Sequence, residues 1–443
     1  MHPKVIIYIF ALIMQISGIF IYSEFFSNEI TIYDPRYEQL AVNIIEKGTF
    51  RIDWGVGNNQ AQFMQNPYEI QKGVYYNWFP IGYSLILVPP ILFDNYKIVL
   101  TIFQLLLFSF IPVLLFLISK QVFRDYKYCI PVSFFIAIIW CFYPYYLVSS
   151  LWRSDTWTIV LLNLITFFNL IKFYDSGFRK VYAYRLAFLL TIMFFFRPLI
   201  LFPYCLLILI WGLMFIKDRL IIKNLFVLLL VIVTVVGIWT IRNYVEFNVV
   251  SLTHSNVGYN LWLGNNKYTN EFMRKRLGDG ATIEDEIIPK YDTAWSYLKY
   301  YSEYEKDAFF RREAIDFIIN EPIESLENVM WKIIGFWSPL RMRSGHWSDS
   351  KSKQIFTLII HTPLLFLSIL SVFTYFKKKE YKKKEWKTWL ILFMFLYMLP
   401  HLLFFSTTRF RAPIDFGLLL LSMDYLYPSI VSTISRFKLR LKK

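Results

Sequence analysis

The chain has few residues that bind metals or form covalent cross-links: three cysteines and five histidines in 443 residues. Cys129 and Cys141 would lie about 18 Å apart on one helix, beyond disulfide reach. Cys205 sits in a separate apolar block, and all three read as packing residues. The histidines are scattered, with no H-x-x-x-H spacing. There is no G-x-x-x-x-G-K-S/T, no G-x-G-x-x-G and no soluble domain to hold a nucleotide. Internal repeats and low-complexity tracts are also absent. No small-x-small cleavage site follows the first apolar run, which continues as Ser23-Glu24-Phe25-Phe26. That run is expected to be a retained signal anchor.

Apolar residues dominate. The composition is 56% hydrophobic and 20% aromatic, with mean hydropathy +0.42. That is too apolar for a soluble protein of this length. The apolar residues fall in blocks of roughly 15–24, the length that crosses a bilayer as helix. The fold class expected is an all-α polytopic membrane protein with about ten transmembrane helices plus interfacial helices. Spans are expected near 4–23, 97–119, 129–150, 156–172, 184–196, 198–216, 223–241, 353–376, 387–405 and 412–430.

The stretch 79–93 is short and carries Pro80, Pro89 and Pro90. If it does not cross, the loops 120–128, 172–185, 217–223 and 377–387 and the tail from Arg436 share one side with Lys4. Nearly half of the basic residues then face the cytoplasm, as the positive-inside rule requires. If it crosses, the seven-lysine loop 377–387 lands outside. Residues 79–93 therefore read as an interfacial or re-entrant helix. Both termini read as cytoplasmic in an inner (plasma) membrane. The net charge of +15 follows this topology, not a nucleic-acid surface, and the lysine run is a topology anchor that touches anionic lipid.

Three regions follow. Residues 1–241 form an N-terminal transmembrane catalytic module with a first outer loop, 24–96. Residues 242–352 form an outer surface region, read as a cover on the membrane. Within it a helix is expected over 303–320, with Ala308, Ile315, Ile318 and Ile319 on its apolar face and Pro322 ending or restarting it. Residues 353–443 supply the last transmembrane helices and a basic tail.

Two carboxylates stand out at the outer edge, where a charged group carries an energetic penalty and usually has a function. Asp34 opens an expected amphipathic helix, 34–48, with Leu40, Ile44 and Ile45 as its stripe and Gly48 as its stop. Asp155 precedes the span 156–172. Either acid would also serve as a plain helix cap, and Asp155 has Arg153 within salt-bridge reach. Arg197, Arg242, Arg409 and Arg411 lie at the same expected depth. A guanidinium fork matches phosphate oxygens; the alternative for each is snorkelling to headgroups.

The order of these pieces resembles the GT-C superfamily of polytopic glycosyltransferases, near the bacterial protein O-mannosyltransferases and the lipid A aminoarabinose transferase. The resemblance covers most of the chain. It is carried by Asp34…Tyr37…Ala41-Val42-Asn43-Ile44-Ile45-Glu46-Lys47-Gly48, by Tyr76-Asn77-Trp78-Phe79-Pro80-Ile81-Gly82-Tyr83 and by Ser154-Asp155-Thr156. Trp239-Thr240-Ile241-Arg242-Asn243-Tyr244, the stretch Asn256 to Asn266, and Arg409-Phe410-Arg411-Ala412-Pro413 complete it.

The resemblance implies a polyprenyl-phosphate sugar donor, a glycan, lipid or protein acceptor, and inverting transfer on the non-cytoplasmic face among membrane lipids. Asp34 would be the general base. Asp155 would position the acceptor or help hold a divalent metal. Tyr37, Arg197, Arg242, Arg409 and Arg411 would line the substrate, the arginines taking the departing phosphate. Pro35 follows Asp34 where many protein mannosyltransferases have a second acid, a departure from their metal-dependent pattern. His254 and His346 are further metal candidates in the outer region. The contrasting expectation is a transporter of lipid-linked glycans, which should carry polar groups deep in several spans and a repeat between halves. The expected spans are nearly free of mid-helix charge, with Asp424 as one exception.

Overall fold

The computed structural model describes residues 2–25, 35–50, 52–53, 75–76, 80–269, 303–339, 351–380, 385–406 and 408–440. These form a helical bundle, with a two-residue antiparallel ladder pairing Ile52 with Tyr76 and Asp53 with Tyr75. The helices are α1 (Pro3–Phe25), α2 (Pro35–Lys47), α3 (Gly82–Ile91), α4 (Tyr96–Phe108), α5 (Phe110–Val122), α6 (Cys129–Cys141), α7 (Pro144–Leu147), α8 (Thr156–Asp175) and α9 (Lys180–Phe196). They continue as α10 (Leu201–Met214), α11 (Arg219–Phe247), α12 (Val257–Gly264), α13 (Glu303–Asn320), α14 (Pro322–Trp337), α15 (Lys351–Lys377), α16 (Glu385–Leu403), α17 (Thr408–Arg411) and α18 (Asp415–Arg440).

Among the described residues, seven helical segments are long and apolar enough to cross a membrane, as in a multi-pass membrane protein. They are Pro3–Tyr22, Tyr96–Val122, Thr156–Asp175, Arg219–Phe247, Leu358–Lys377, Glu385–Leu403 and Thr408–Thr433. Three expected spans are shorter helices, and proline accounts for two of the breaks. Pro144 pushes Tyr143 into an extended conformation (φ −65°, ψ 122°), splitting 129–150 into α6 and the single turn α7. Pro198 does the same to Arg197 (φ −156°, ψ 95°), ending α9 there. The segment 79–93 yields α3, ten residues and about 15 Å long, half a hydrocarbon core.

Helix ends gather at two poles. At one, Arg124 pairs with Asp175 at 2.9 Å, and Lys172 donates to Gln121 at 2.7 Å. The Asn224 amide there donates to the Phe178 carbonyl at 2.9 Å. Tyr174 reaches Glu385, and Lys387 pairs with Asp424 at 2.7 Å. At the opposite pole lie Asp155, Arg197 and α17. The helix α8 runs between them through the centre, and its Asn163 donates to the Pro413 carbonyl at 2.7 Å while accepting from Tyr204 at 2.8 Å. By contrast α1, α11 and α15 expose much of their apolar surface.

Both expected amphipathic helices are present, as α2 and α13. On α2, Leu40 and Ile44 pack inward against Ile81, but Ile45 is exposed and Tyr37 and Ala41 complete the buried stripe. Gly48 takes φ +64° and closes the helix, as its position implies. On α13 the buried residues are Glu303, Lys306, Asp307, Phe310 and Ala314, and the expected apolar face, with Ile315, Ile318 and Ile319, points outward. The reason lies in Asp307: its Oδ1 accepts from the backbone N–H groups of Gly258 and Tyr259. It thus caps α12 from a neighbouring helix, and this fixes the polar face inward.

Candidate functional site

The centre of the site is a buried ion pair that Pro198 helps to create. With Arg197 extended instead of helical, its guanidinium reaches the N-terminus of α8. There Nη2 donates to both Asp155 oxygens at 2.9 Å. The Asp155 side chain makes no capping bond to α8, so the plain capping role does not describe it. Nor is Arg153 its ion-pair partner; Arg197 is. The two side chains are 11% and 9% exposed. Burial of such a pair demands full hydrogen bonding, yet Nη1 of Arg197 is buried without an acceptor. A buried unsatisfied donor costs about 1–3 kcal/mol, more when charged. An incoming oxygen would relieve that penalty.

Phe410 organises the surroundings. The Arg197 guanidinium lies over its ring at 5.1 Å and that of Arg409 at 5.3 Å, both within cation–π range. His401 stacks on it at 5.1 Å and 11°, and Phe336 stacks on His401 in turn. The buried Tyr397 hydroxyl has no hydrogen-bond partner and lies within electrostatic reach of Arg197, Asp155 and Asp415.

Arg411, two residues from Arg409, turns the other way. Its Nε donates to Asp415 at 2.7 Å, and Nη1 donates to the carbonyls of Phe336 and Ser338, both at 2.9 Å. Tyr143 donates to the second Asp415 oxygen at 2.6 Å. Arg411 therefore joins α14 to α18, while Arg197 and Arg409 face Phe410.

The remaining residues are spread around this cluster. Tyr37 is buried, edge-on to Tyr83 at 5.1 Å. Gln104 holds the Tyr83 hydroxyl at 2.9 Å. Burial raises the Tyr83 phenol well above its usual range, and the nearby Asp155 and Glu38 charges push it the same way. Tyr37 and α2 are thereby linked to the neighbourhood of Asp155. Arg242 lies apart on α11, caged by Trp239 and Phe247 at 5.0 and 5.1 Å, with Nη2 on the Phe50 carbonyl. Asp34 and His346 lie outside the described residues. Burial pushes the His254 ring down to about 4, and the Asn256 side chain acts in the other direction. Among the described residues no group of three His, Cys, Asp or Glu side chains could hold a metal ion.

His401, Phe410, Tyr397, Tyr143 and Asp415 were not singled out from the sequence. Arg411 and Asp415 had a legible signal, an i,i+4 pair of opposite charge, and His401 is a histidine inside an apolar span. An open space of about 230 Å³ lies at the other pole, lined by Gln121, Trp211 and Trp389 among others. No family model and no curated protein matches the chain.

Proposed function

We propose that this protein is a GT-C-type glycosyltransferase. It moves a sugar from a polyprenyl-phosphate donor to an acceptor hydroxyl on the non-cytoplasmic face of the plasma membrane. The observation that carries the reading is the incomplete Asp155–Arg197 pair: a buried arginine with an unused donor, sharing the Phe410 ring with Arg409 at one pole of a membrane bundle.

In the proposed step the acceptor oxygen attacks the anomeric carbon from the face opposite the phosphate. The new C–O bond forms as the bond to the phosphate oxygen breaks, and the electron pair leaves with the phosphate. Asp34 takes the hydroxyl proton. The leaving group is a phosphate, so it needs positive charge and not a strong acid. Arg197 and Arg409 supply that charge, and Asp155 holds Arg197 in place. The link from α2 through Tyr37 and Tyr83 towards Asp155 supports bringing Asp34 to the same site.

Ten crossings with cytoplasmic termini fit the poles. The helices α6, α9 and α10 each run between them although shorter than a standard span, and loops 120–128 and 172–180 gather at one with the start of α16. Asp424, a charged group within a span, is paired with Lys387, so it offers no free charge along a transport path. The test is release of free polyprenyl phosphate, read by mass spectrometry, from a panel of polyprenyl-phosphate sugars. Wild type is expected to release it with one donor, and Asp34→Asn and Arg197→Gln are not. Lipid-linked glycan crossing liposomes with no release from any donor would replace this reading with a transporter.

A further inference from the structure

The outer helix α14 is built inside out for a helix in water. Ile323, Leu326, Met330 and Ile334 recur at steps of three, four and four, one stripe of an α-helix. They are exposed by 79%, 64%, 54% and 47%. The opposite face carries Ser325, Asn328 and Lys332, all buried. A helix on a soluble surface would have these faces exchanged. On α13, Ile315 and Ile319 are exposed in the same manner.

The helix cannot roll to bury the stripe, because its polar face is bonded. Lys332 Nζ donates to Asn265 Oδ1 at 3.0 Å and to the Leu402 carbonyl at 2.9 Å. The second of these bonds satisfies a carbonyl at the C-terminal end of α16, where a helix has no donors of its own. Asn328 donates to the Asn266 carbonyl. At the last turn, Arg411 holds the Phe336 and Ser338 carbonyls, and the Trp337 indole donates to Met398 Sδ. These ties fix α14 where the span α16 ends. Leu403, at that end, is 61% exposed, so the stripe adjoins lipid-facing surface.

We infer that α13 and α14 form an interfacial membrane element whose apolar stripe is immersed in the leaflet at the Asp155–Arg197 pole. The occupant is lipid, because the stripe adjoins a spanning helix and the tryptophans of an interface lie beside it. The exposed charges of the pair are mixed: Arg311 and Arg312 against Glu305, Glu313, Asp316, Glu321 and Glu324. Immersion is therefore driven by apolar burial and not by anionic headgroups. The inference does not depend on the glycosyltransferase reading.

The test uses the full chain with its three cysteines replaced by alanine, in nanodiscs of phosphatidylcholine. Single cysteines are placed at Leu326→Cys and Met330→Cys on the stripe and at Glu324→Cys beside it. A charged maleimide is expected to label position 324 at least tenfold faster than 326 or 330. Nitroxides at 326 and 330 should be relaxed more by oxygen than by a water-soluble nickel chelate, and the reverse at 324. Adding phosphatidylglycerol should leave both patterns unchanged. Equal labelling at all three positions would overturn the inference. So would protection at 326 and 330 without oxygen access, since that signature belongs to a protein partner.

Discussion

Two ion pairs, Lys387–Asp424 at the basic pole and Asp155–Arg197 at the opposite one, are not equivalent. At the basic pole Lys387 and Asp424 are 1% and 2% exposed at their side chains. Lys387 also donates to the Ser371 carbonyl at 3.0 Å, and Tyr126 donates to Asp424. Every charge there has protein partners. At the other pole the Asp155–Arg197 pair keeps an unused guanidinium donor beside an unpartnered tyrosine hydroxyl. Both pairs join distant parts of the chain. The complete pair can only hold structure together. The incomplete one has capacity left for an oxygen from outside.

The largest expected effect that tests this contrast comes from Arg197→Leu. It strands Asp155, with a loss of stability of about 3–5 kcal/mol, and it removes a charge from the leaving group, lowering turnover by about 10²–10³-fold. Thermal melts and polyprenyl-phosphate release measure the two losses. Lys387→Met should destabilise to a similar extent yet leave turnover per folded molecule intact. Replacing both partners, Lys387→Met with Asp424→Leu, should restore most of that stability. Equal turnover losses at the two poles would erase the distinction.

A smaller effect is expected from Phe410→Leu. Cation–π contacts are worth roughly 0.5–2 kcal/mol each, so donor KM should rise by about tenfold with little change in the melt. The mildest prediction concerns pH. His254 has a folded-state pKa of about 4, below its ordinary 6.5, so the unfolded chain binds the extra proton first. Stability should fall as pH drops from about 6.5 towards 4 and be level above that window. His254→Leu should flatten this part of the profile in chemical denaturation series.

The membrane class, the positions of the long helices and the cap at Gly48 are legible in the sequence, because each follows from local composition or a single backbone requirement; the helix ends are less so, α11 running over Arg219–Phe247 where 223–241 is expected. The break at Arg197 was legible only in part. Pro198 marks where α9 stops, but which acid the extended arginine meets depends on how α8 and α9 pack. The grouping of Arg409 with Arg411 failed for a local reason. Residues two apart on a helix point in nearly opposite directions, and Asp415 takes Arg411. The orientation of α13 is not legible in the sequence, because amphipathicity names two faces without saying which meets protein. In a chain bordered by lipid, that choice fell to the Asp307 cap on α12.

The Arg411 junction has a mechanical consequence. One guanidinium ties the end of the outer helix pair to the start of the last span, and Tyr143 carries the tie on to the turn after α6. A pull on Ser338 is therefore a pull on Asp415 and on the chain that leads into Asp155. The outer helix α14 behaves as a strut and not as a hinged cover. A displacement of α14 would reach the start of α18 through three hydrogen bonds of one side chain.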